Sequence, residues 1–439
     1  MAERFDAVVV GAGAAGGLAA YALSRAKRSV LLVCPPTSSG ASQALGGVAW
    51  RSPLGARFPS AVKDGLPLDR RVIERRLAVL APESSLSIDY RDLSWAAQGS
   101  GGWVLERSRW DAWARDSAPK LGITVWKDAK LDSLTLDRAG RMTGLQAGGR
   151  SVEASVTLLG DTSVLPVAAA RGMRLGQDPE GPARGKGGET LLASVYDLPT
   201  SRVDDRFGAG PGRGFTWEVV LGFLPKGAMG YGFIFPGHAS VHAGVLVEDR
   251  SVARAGTTVQ EVARLFEAHP SVAPFLRGCA RGASALLPSA SRTTRGLKLH
   301  GDGYLIFGEL AAAGATPGIV LRGMDAQAET AWAAAETARE ALETKDVSAR
   351  VLSRYVTRLN GSGALSQLAR PDDRAARLKW NPRLHRAYPD LFAALFRRMM
   401  TEKGQPKEHM TNLLKDVLGA SRIPYTALAR DALAAVGSL

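Results

Sequence analysis

The sequence predicts an α/β protein. It has a nucleotide-binding unit on a parallel sheet, a second unit on an antiparallel sheet, and a helical C-terminal region. Three observations predict this. Residues 5–34 run as strand, glycine turn, helix and second strand. Residues 189–249 are aromatic and β-branched stretches broken by Gly and Pro. From 346 onward the chain reads as mostly helical, with Arg and Lys on the outer faces.

The elements follow in order. Residues 5–10 form the apolar run of a strand buried on both faces. "AAGGLAAYALSRA" reads as a helix with small residues on its packing face, and "SVLLV" as the next strand. "SSGASQALGGVAW" is expected to be a loop. The segment 107–122, "RSRWDAWARDSAPKLG", looks helical, and "ITVWKDAKLDSLTLD" and "MTGLQAGG" look like strands with turns. "SVEASVTLLGDTS" is a strand ending in a Gly-Asp turn. "GTTVQEVARLFEAHPSVAPFL" is a helix opened by Thr and stopped near His269–Pro270. "GYLIFGELAAAG" returns to the buried strand and glycine turn, and "GMDAQAETAWAAAETAREALE" is a long Ala-rich helix.

Composition narrows the functions. The 439 residues allow two or three domains with a sizeable core. Only two cysteines occur, Cys34 and Cys279, far apart and in no CxxC pair. That excludes a cysteine-held zinc or iron–sulfur site within this chain and fits a reducing cytoplasm. No metal site is expected. No run of about 18 apolar residues suggests a membrane-spanning helix, and the first residues do not read as a signal peptide. The net charge of +14 favours polyanions, but the charges are scattered without a long run, so a basic compositional bias explains them equally well. No nucleic-acid partner is expected.

The chemistry-bearing motif is Gly11-x-Gly13-x-x-Gly16. The first glycine permits the tight turn, and the second lets backbone N–H groups approach a pyrophosphate at the positive helix end. The third lets helix and sheet pack closely. Ala14 and Ala15 complete the loop. The strand that follows normally ends in Asp or Glu, which accepts from the ribose hydroxyls; here Cys34 stands there, with Thr37, Ser38 and Ser39 nearby. Two further acidic turns follow strands, at Gly160–Asp161 and Gly308–Glu309. Each alone also fits an Asx turn or a helix cap. None of the six histidines lies in a motif.

The order GAGAAG, "GASQALGGVAW", "LERSRWDAW", "LLGDTS", "GELAAAG", "TPGIVLRGMD" and "NPRLHRAYPDLFAALFRRM" resembles the FixC-type dehydrogenases. These are grouped with the electron-transfer flavoprotein:quinone oxidoreductases and, more widely, the geranylgeranyl reductases. The resemblance runs nearly end to end. It implies a glutathione-reductase-type FAD-binding Rossmann domain with an antiparallel-sheet substrate domain and a helical C-terminal region. It divides the chain into FAD-binding parts at 1–60, 101–175 and 296–345, a substrate-domain insertion at 61–100, a quinone-side sheet domain at 176–295, and the helical region at 346–439. It implies an oxidoreductase whose FAD passes electrons from an electron-transfer flavoprotein toward a quinone. A separate ferredoxin-like protein would supply the cluster this chain lacks.

By the same resemblance Gly11, Gly13 and Gly16 sit on the pyrophosphate, and Gly46 and Gly47 pass close to the flavin ring. Arg107 approaches the FAD phosphates; Asp161 is a further cofactor-binding candidate on its own turn, since two acidic groups at strand ends fit a flavoprotein whose late segments fold back onto the N-terminal unit. Gly308 and Glu309 meet its ribityl and phosphate side, and Gly318 and Ile319 present backbone N–H groups to the flavin. A helix beginning near Gly323 aims its positive end at the ring. Four departures from the family pattern stand out: Cys34 for Glu, Glu309 for Asp, "GDTS" for "ADG", and Ala193 where a Lys is frequent. They keep open a second reading, a scaffold of the same fold that binds FAD weakly and docks on an electron-transfer flavoprotein, and a third, an isoprenoid-lipid reductase. The stretch 222–237, "GFLPKGAMGYGFIFPG", has the apolar content to meet a quinone or a membrane surface, and ordinary sheet core explains it as well. With the net charge, it leads to the expectation of peripheral, salt-sensitive contact at the inner face of a membrane.

Overall fold

A computed structural model describes residues 3–36, 44–49, 51–98, 101–173, 175, 188–208, 210–222, 224, 227–289, 298–311, 323–362, 380–402 and 408–436. Two sheets organise them. The first has eight strands: β1 (Glu3–Val10), β2 (Val30–Val33), β7 (Thr124–Trp126), β8 (Leu131–Leu136), β9 (Met142–Ala147), β10 (Arg150–Leu159), β16 (His300–Gly301) and β17 (Tyr304–Ile306). Its parallel centre runs β17-β10-β1-β2-β7, so the late strand β17 lies beside β10, which lies beside β1. This brings the Gly-Asp and Gly-Glu turns to the same edge as the N-terminal glycine loop. Strands buried on both faces read as unbroken apolar runs, as in "AVVV" and "VLLV".

The second sheet has nine strands: β3 (Gly46–Ala49), β4 (Arg70–Ala81), β5 (Ser84–Arg91), β6 (Trp103–Glu106), β11 (Glu189–Asp197), β12 (Arg213–Gly222), β13 (Gly230–Pro236), β14 (Ser240–Glu248) and β15 (Ala280–Ser289). The order is β15-β11-β14-β13-β12-β4-β6-β3, antiparallel except where β12 meets β4. Its middle is the sheet expected from residues 189–249. The expected loop at "GGVA" is instead edge strand β3, paired with β6. Two glycines hid it from propensity, since tertiary pairing overrides a weak local preference.

Helices cover both sheets. We label α1 (Ala14–Arg25), α2 (Arg107–Ser117), α3 (Val259–Glu267), α4 (Met324–Glu343), α5 (Tyr388–Met400), α6 (Met410–Ser421) and α7 (Tyr425–Val436). α2 stops short of the expected 107–122: a separate 3-10 turn follows at Pro119–Leu121, because a proline N lacks the donor that continues a helix. α3 starts on Thr258, whose hydroxyl accepts the Glu261 N–H at 3.1 Å. α4 is mostly buried, its alanines packed on α1. The C-terminal helices form their own small core, and "NPRL…YP" holds them together. Arg383 makes a two-armed ion pair with Asp431 at 2.7 and 2.9 Å, and the Tyr388 hydroxyl donates to the same carboxylate at 2.8 Å.

The structure corrects one expectation about surfaces. Within 222–237, Leu224 is 2% exposed and Phe233 and Phe235 are 7% exposed each, buried as the sheet's own core. They present no face to a membrane; Phe223 lies outside the described residues. Exposed large apolar side chains sit elsewhere, among them Ile88 and Tyr90 on β5, Leu93 after it, Met400 at the end of α5, and Tyr425 and Leu433 on α7. Among the described residues no helix is long and apolar enough to cross a membrane.

Candidate functional site

The glycine loop closes because each glycine has a geometric reason. Gly11 turns at φ +105°, a conformation costly for any residue with a Cβ. A Cβ on Gly16 would run into the Gly11 carbonyl oxygen, and one on Gly13 into the Arg107 guanidinium. α1 therefore starts directly under the loop, with Gly13 at its N-cap and no side chain capping its first N–H groups. Ala14 and Ala15 of that first turn are buried, so the helix end is screened from bulk water. Orphan donors at a positive helix end form a seat for an anion.

A cavity of about 320 Å³ opens at this seat. Of the residues singled out in the sequence, Gly11, Gly13, Ala14, Ala15, Gly16, Cys34, Arg107, Asp161 and Glu309 all line it. Gly308 precedes Glu309 in a 3-10 turn at φ +62°, and its N–H donates to the Thr330 hydroxyl at 3.1 Å. Gly46 and Gly47 do not line the cavity. They lie on β3, where a Cβ on Gly47 would stand 3.3 Å from Met324 Cγ at the start of α4. Gly318 and Ile319 lie outside the described residues. Asp161 also makes the Asx turn that its sequence allowed, accepting from the Ser163 N–H at 2.9 Å.

Arg107 is the central cation. It starts α2, and its Nε donates to Asp111 Oδ1 at 2.7 Å, one turn on. Burial opposes its charge, but Asp111, Glu309 and Asp161 together more than offset that and hold the guanidinium protonated. Asp111 responds to the same enclosure: burial pushes its carboxyl up, and Arg107 only partly opposes this. The guanidinium, beside Gly13, is placed to face a phosphate.

Cys34 directly follows β2 and is buried at the cavity wall. Burial pushes its thiol up to about 12, against the pull of Arg115 and Lys127. It is a neutral, small side chain and cannot accept as a carboxylate does. Asp128, which the sequence reading did not single out, stands close by. The Ala129 N–H donates to the Cys34 carbonyl at 2.9 Å, and Asp128 and Lys127 line the cavity beside Pro35. Asp128 adopts φ +51°, the left-handed region that Asp tolerates better than most residues. A signal existed in "WKDAK", a charged turn after a strand, but only the β2–β7 pairing brings it to Cys34.

The residues fit a dinucleotide cofactor. An uncapped helix end with a buried first turn, a glycine loop that a Cβ would fill, and a half-buried arginine against the loop match a pyrophosphate. Acidic groups stand at both ends of the cavity, Asp128 beside Cys34 and Asp161 with Glu309 at the strand ends of β10 and β17.

A parallel sheet carrying such a loop, joined to an antiparallel sheet and followed by helices, is the two-domain fold of FAD-binding reductases and monooxygenases. No family model matches the chain. Curated relatives do. The chain is 28% identical over 422 residues to the probable electron transfer flavoprotein-quinone oxidoreductase YdiS of Escherichia coli K12, covering 94% of each. It is 28% identical over 436 residues to protein FixC of Salmonella typhi, covering 99% of each. The resemblance read from the motifs is thereby borne out. Solved structures support the fold. A geranylgeranyl bacteriochlorophyll reductase-like protein from Thermoplasma acidophilum matches with a TM-score of 0.65 at 16% identity, covering 100% of this chain and 97% of the other. The probable FAD-dependent monooxygenase pqsL of Pseudomonas aeruginosa matches at 0.57 and 16% identity, covering 90% and 100%.

Proposed function

We propose that this chain is an FAD-dependent oxidoreductase that receives electrons from an electron-transfer flavoprotein and delivers them toward a quinone. The observation that carries the reading is the cavity itself, where the uncapped α1 end, Arg107, Asp161 and Glu309 meet although they lie in four separate stretches of sequence. A simple two-helix dinucleotide domain has no use for the turn after β17. A cofactor with a ribityl chain and a ring does. The full-length likeness to FixC and YdiS supports the electron donor and acceptor.

FAD supplies the two-electron chemistry when bound. The chain's own residues bind and orient it. The α1 N–H groups and Arg107 take the pyrophosphate, Asp128 replaces the carboxylate missing at Cys34 for the ribose hydroxyls, and Glu309 takes the ribityl side. The family resemblance assigns the ring to Gly46 and Gly47 and to Gly318 and Ile319, the last two outside the described residues. A separate ferredoxin-like protein carries electrons between partners. Contact with a membrane surface, if the quinone is drawn from one, runs through Ile88, Tyr90 and Met400 rather than through β13.

The experiment is anaerobic mixing of the purified holoprotein with a reduced electron-transfer flavoprotein, followed by a water-soluble quinone. Bleaching of the bound flavin and its return on quinone addition support the reading. Bound flavin that neither partner changes would contradict the electron route and leave only an FAD protein.

A further inference from the structure

A second cavity, of about 280 Å³, lies outside the nucleotide site and shares no lining residue with it. Helix α5 makes one wall. Its buried Tyr388 and Leu391, with Leu395, pack into the small core of the C-terminal helices. Pro389, Phe392, Ala393, Phe396, Arg397 and Met400 form a second stripe at one-turn spacing, and this stripe lines the cavity. The opposite wall is the β4–β5 hairpin. Val79 and Leu86 are register partners across it, as are Ala81 and Ser84, and all four line the cavity. Leu80 lies between Val79 and Ala81 and points the other way, into the core of the antiparallel sheet.

Helix and hairpin do not close on each other. Val79, Leu86, Phe392 and Phe396 stay half-buried, and Met400 is 69% exposed. Apolar walls open to water gain from being covered. From Pro389 to Met400 the stripe runs roughly 16 Å along the helix axis. A cavity of about 280 Å³ drawn out over that length suits one extended hydrocarbon chain rather than a fused ring system.

The charged group in this cavity is Arg397. Among the described residues it has no ion pair and no side-chain hydrogen bond, whereas its neighbour Arg398 is committed to Glu408 and Asp416. The other polar lining groups are Ser84 and Ser85, and the Ser85 hydroxyl accepts from Ser271 at 2.9 Å. Among the described residues no carboxylate lines the cavity. Glu83 precedes Ser84 and Glu402 follows Met400, so the surroundings are no uniformly basic face for an anionic bilayer. One unpaired guanidinium beside a channel one chain wide calls for one anionic group on one chain, and a carboxylate meets a guanidinium with two parallel hydrogen bonds.

We propose that this cavity binds a free long-chain fatty carboxylate, with its chain between α5 and the β4–β5 hairpin and its carboxylate on Arg397. Chain burial against Phe392, Phe396, Val79 and Leu86 supplies the affinity, and Arg397 selects the anion. The site stands apart from the nucleotide cavity, so it does not depend on the FAD reading.

The test is calorimetric titration of the purified full-length protein with saturated carboxylates from octanoate to tetradecanoate, each below its micelle concentration. Binding should tighten about three- to fourfold per added methylene. The gain should level off near dodecanoate, whose extended chain matches the roughly 16 Å of the stripe. Arg397→Gln, an exposed position, should weaken dodecanoate about tenfold and leave dodecanol unchanged. Added salt should weaken dodecanoate in wild type and not dodecanol. Ala393→Trp fills the channel from the helix side and should abolish binding of both; Leu86→Trp does so from the strand side where Ala393→Trp does not fold. No binding of dodecanoate would overturn the proposal. So would dodecanol or dodecyltrimethylammonium bound as tightly as dodecanoate, or dodecanoate binding that Arg397→Gln and both tryptophan variants leave unchanged. Binding to phosphatidylglycerol vesicles without binding of monomeric dodecanoate would make the occupant a bilayer and overturn it too. The flavin content of the protein does not enter the readout, so a failure of the function reading leaves this result standing.

Discussion

The nucleotide cavity and the buried cluster of His242, Ser240 and Glu106 on the antiparallel sheet are built in opposite ways. The cavity is built mainly from backbone: a turn at Gly11, an uncapped helix end, and one half-buried arginine that needs Gly13 to have no Cβ. The glycines of its loop are close in sequence, and their spacing is the message; Arg107, Asp161 and Glu309 join them from distant stretches. The His242 cluster is built from side chains on β6, β13 and β14, and it exists only because β3 places Gly46 against an imidazole.

That contrast can be broken by mutation, most forcefully in the loop. Gly16→Ala sets a Cβ against a carbonyl oxygen that no rotamer change can move. It should cost about 3 kcal/mol, the upper end of overpacking penalties, and abolish flavin binding; thermal melting with and without FAD reads both. Gly46→Ala, whose Cβ would press on the His242 ring rather than on the loop, should weaken FAD binding less than Gly16→Ala.

Next comes acid sensitivity, which belongs to the His242 cluster. Glu106 sits at about 2 in the folded protein against an ordinary value of 4.5. A depressed carboxyl contributes stability that is complete above its unfolded value and is lost as pH falls from about 4.5 toward 2. The amount is on the order of 3 kcal/mol. Urea midpoints measured between pH 2 and 6 should show this slope in wild type and a shallower one in Glu106→Gln. Equal slopes would remove Glu106 as a fixed anion.

Arg107→Ala removes a charge-assisted contact worth about 1.5–3 kcal/mol, so FAD affinity should fall roughly ten- to hundredfold or more. Calorimetric titration of the flavin-free protein measures it. The smallest effect is at the ribose end. Asp128→Asn keeps the left-handed turn and loses the charge, and it should weaken FAD binding by about tenfold. Cys34→Glu should tighten binding and rescue Asp128→Asn. If Asp128→Asn changes nothing while Cys34→Glu tightens binding, the ribose has no carboxylate in the wild-type protein.

The uneven legibility of the sequence has the same physical origin. Gly11, Gly13 and Gly16 were readable because a tight turn, a close approach and a helix contact each demand glycine at fixed spacing. The sheet at 189–249 and the helix caps at Thr258 and Gly323 were readable because they are local. β3 was not, since two glycines carry no strand preference and the pairing with β6 is long-range. Asp128 was not, since only the β2–β7 pairing makes it a neighbour of Cys34. The aromatic stretch 222–237 misled toward the surface because composition does not tell a buried central strand from an exposed one. β13 lies between β12 and β14, covered on both sides. His242 looked like any lone histidine, because its partner Glu106 is 136 positions away.

The most direct measurement is the visible spectrum of the purified full-length protein, followed by heat release and quantification of what it held, with FAD and NAD titrated back calorimetrically. The account predicts flavin bands, release of FAD in near-equal amount to protein, and rebinding of FAD that Arg107→Ala weakens. A colourless protein that takes up neither FAD nor NAD at high micromolar concentration, or one that releases NAD, would contradict it.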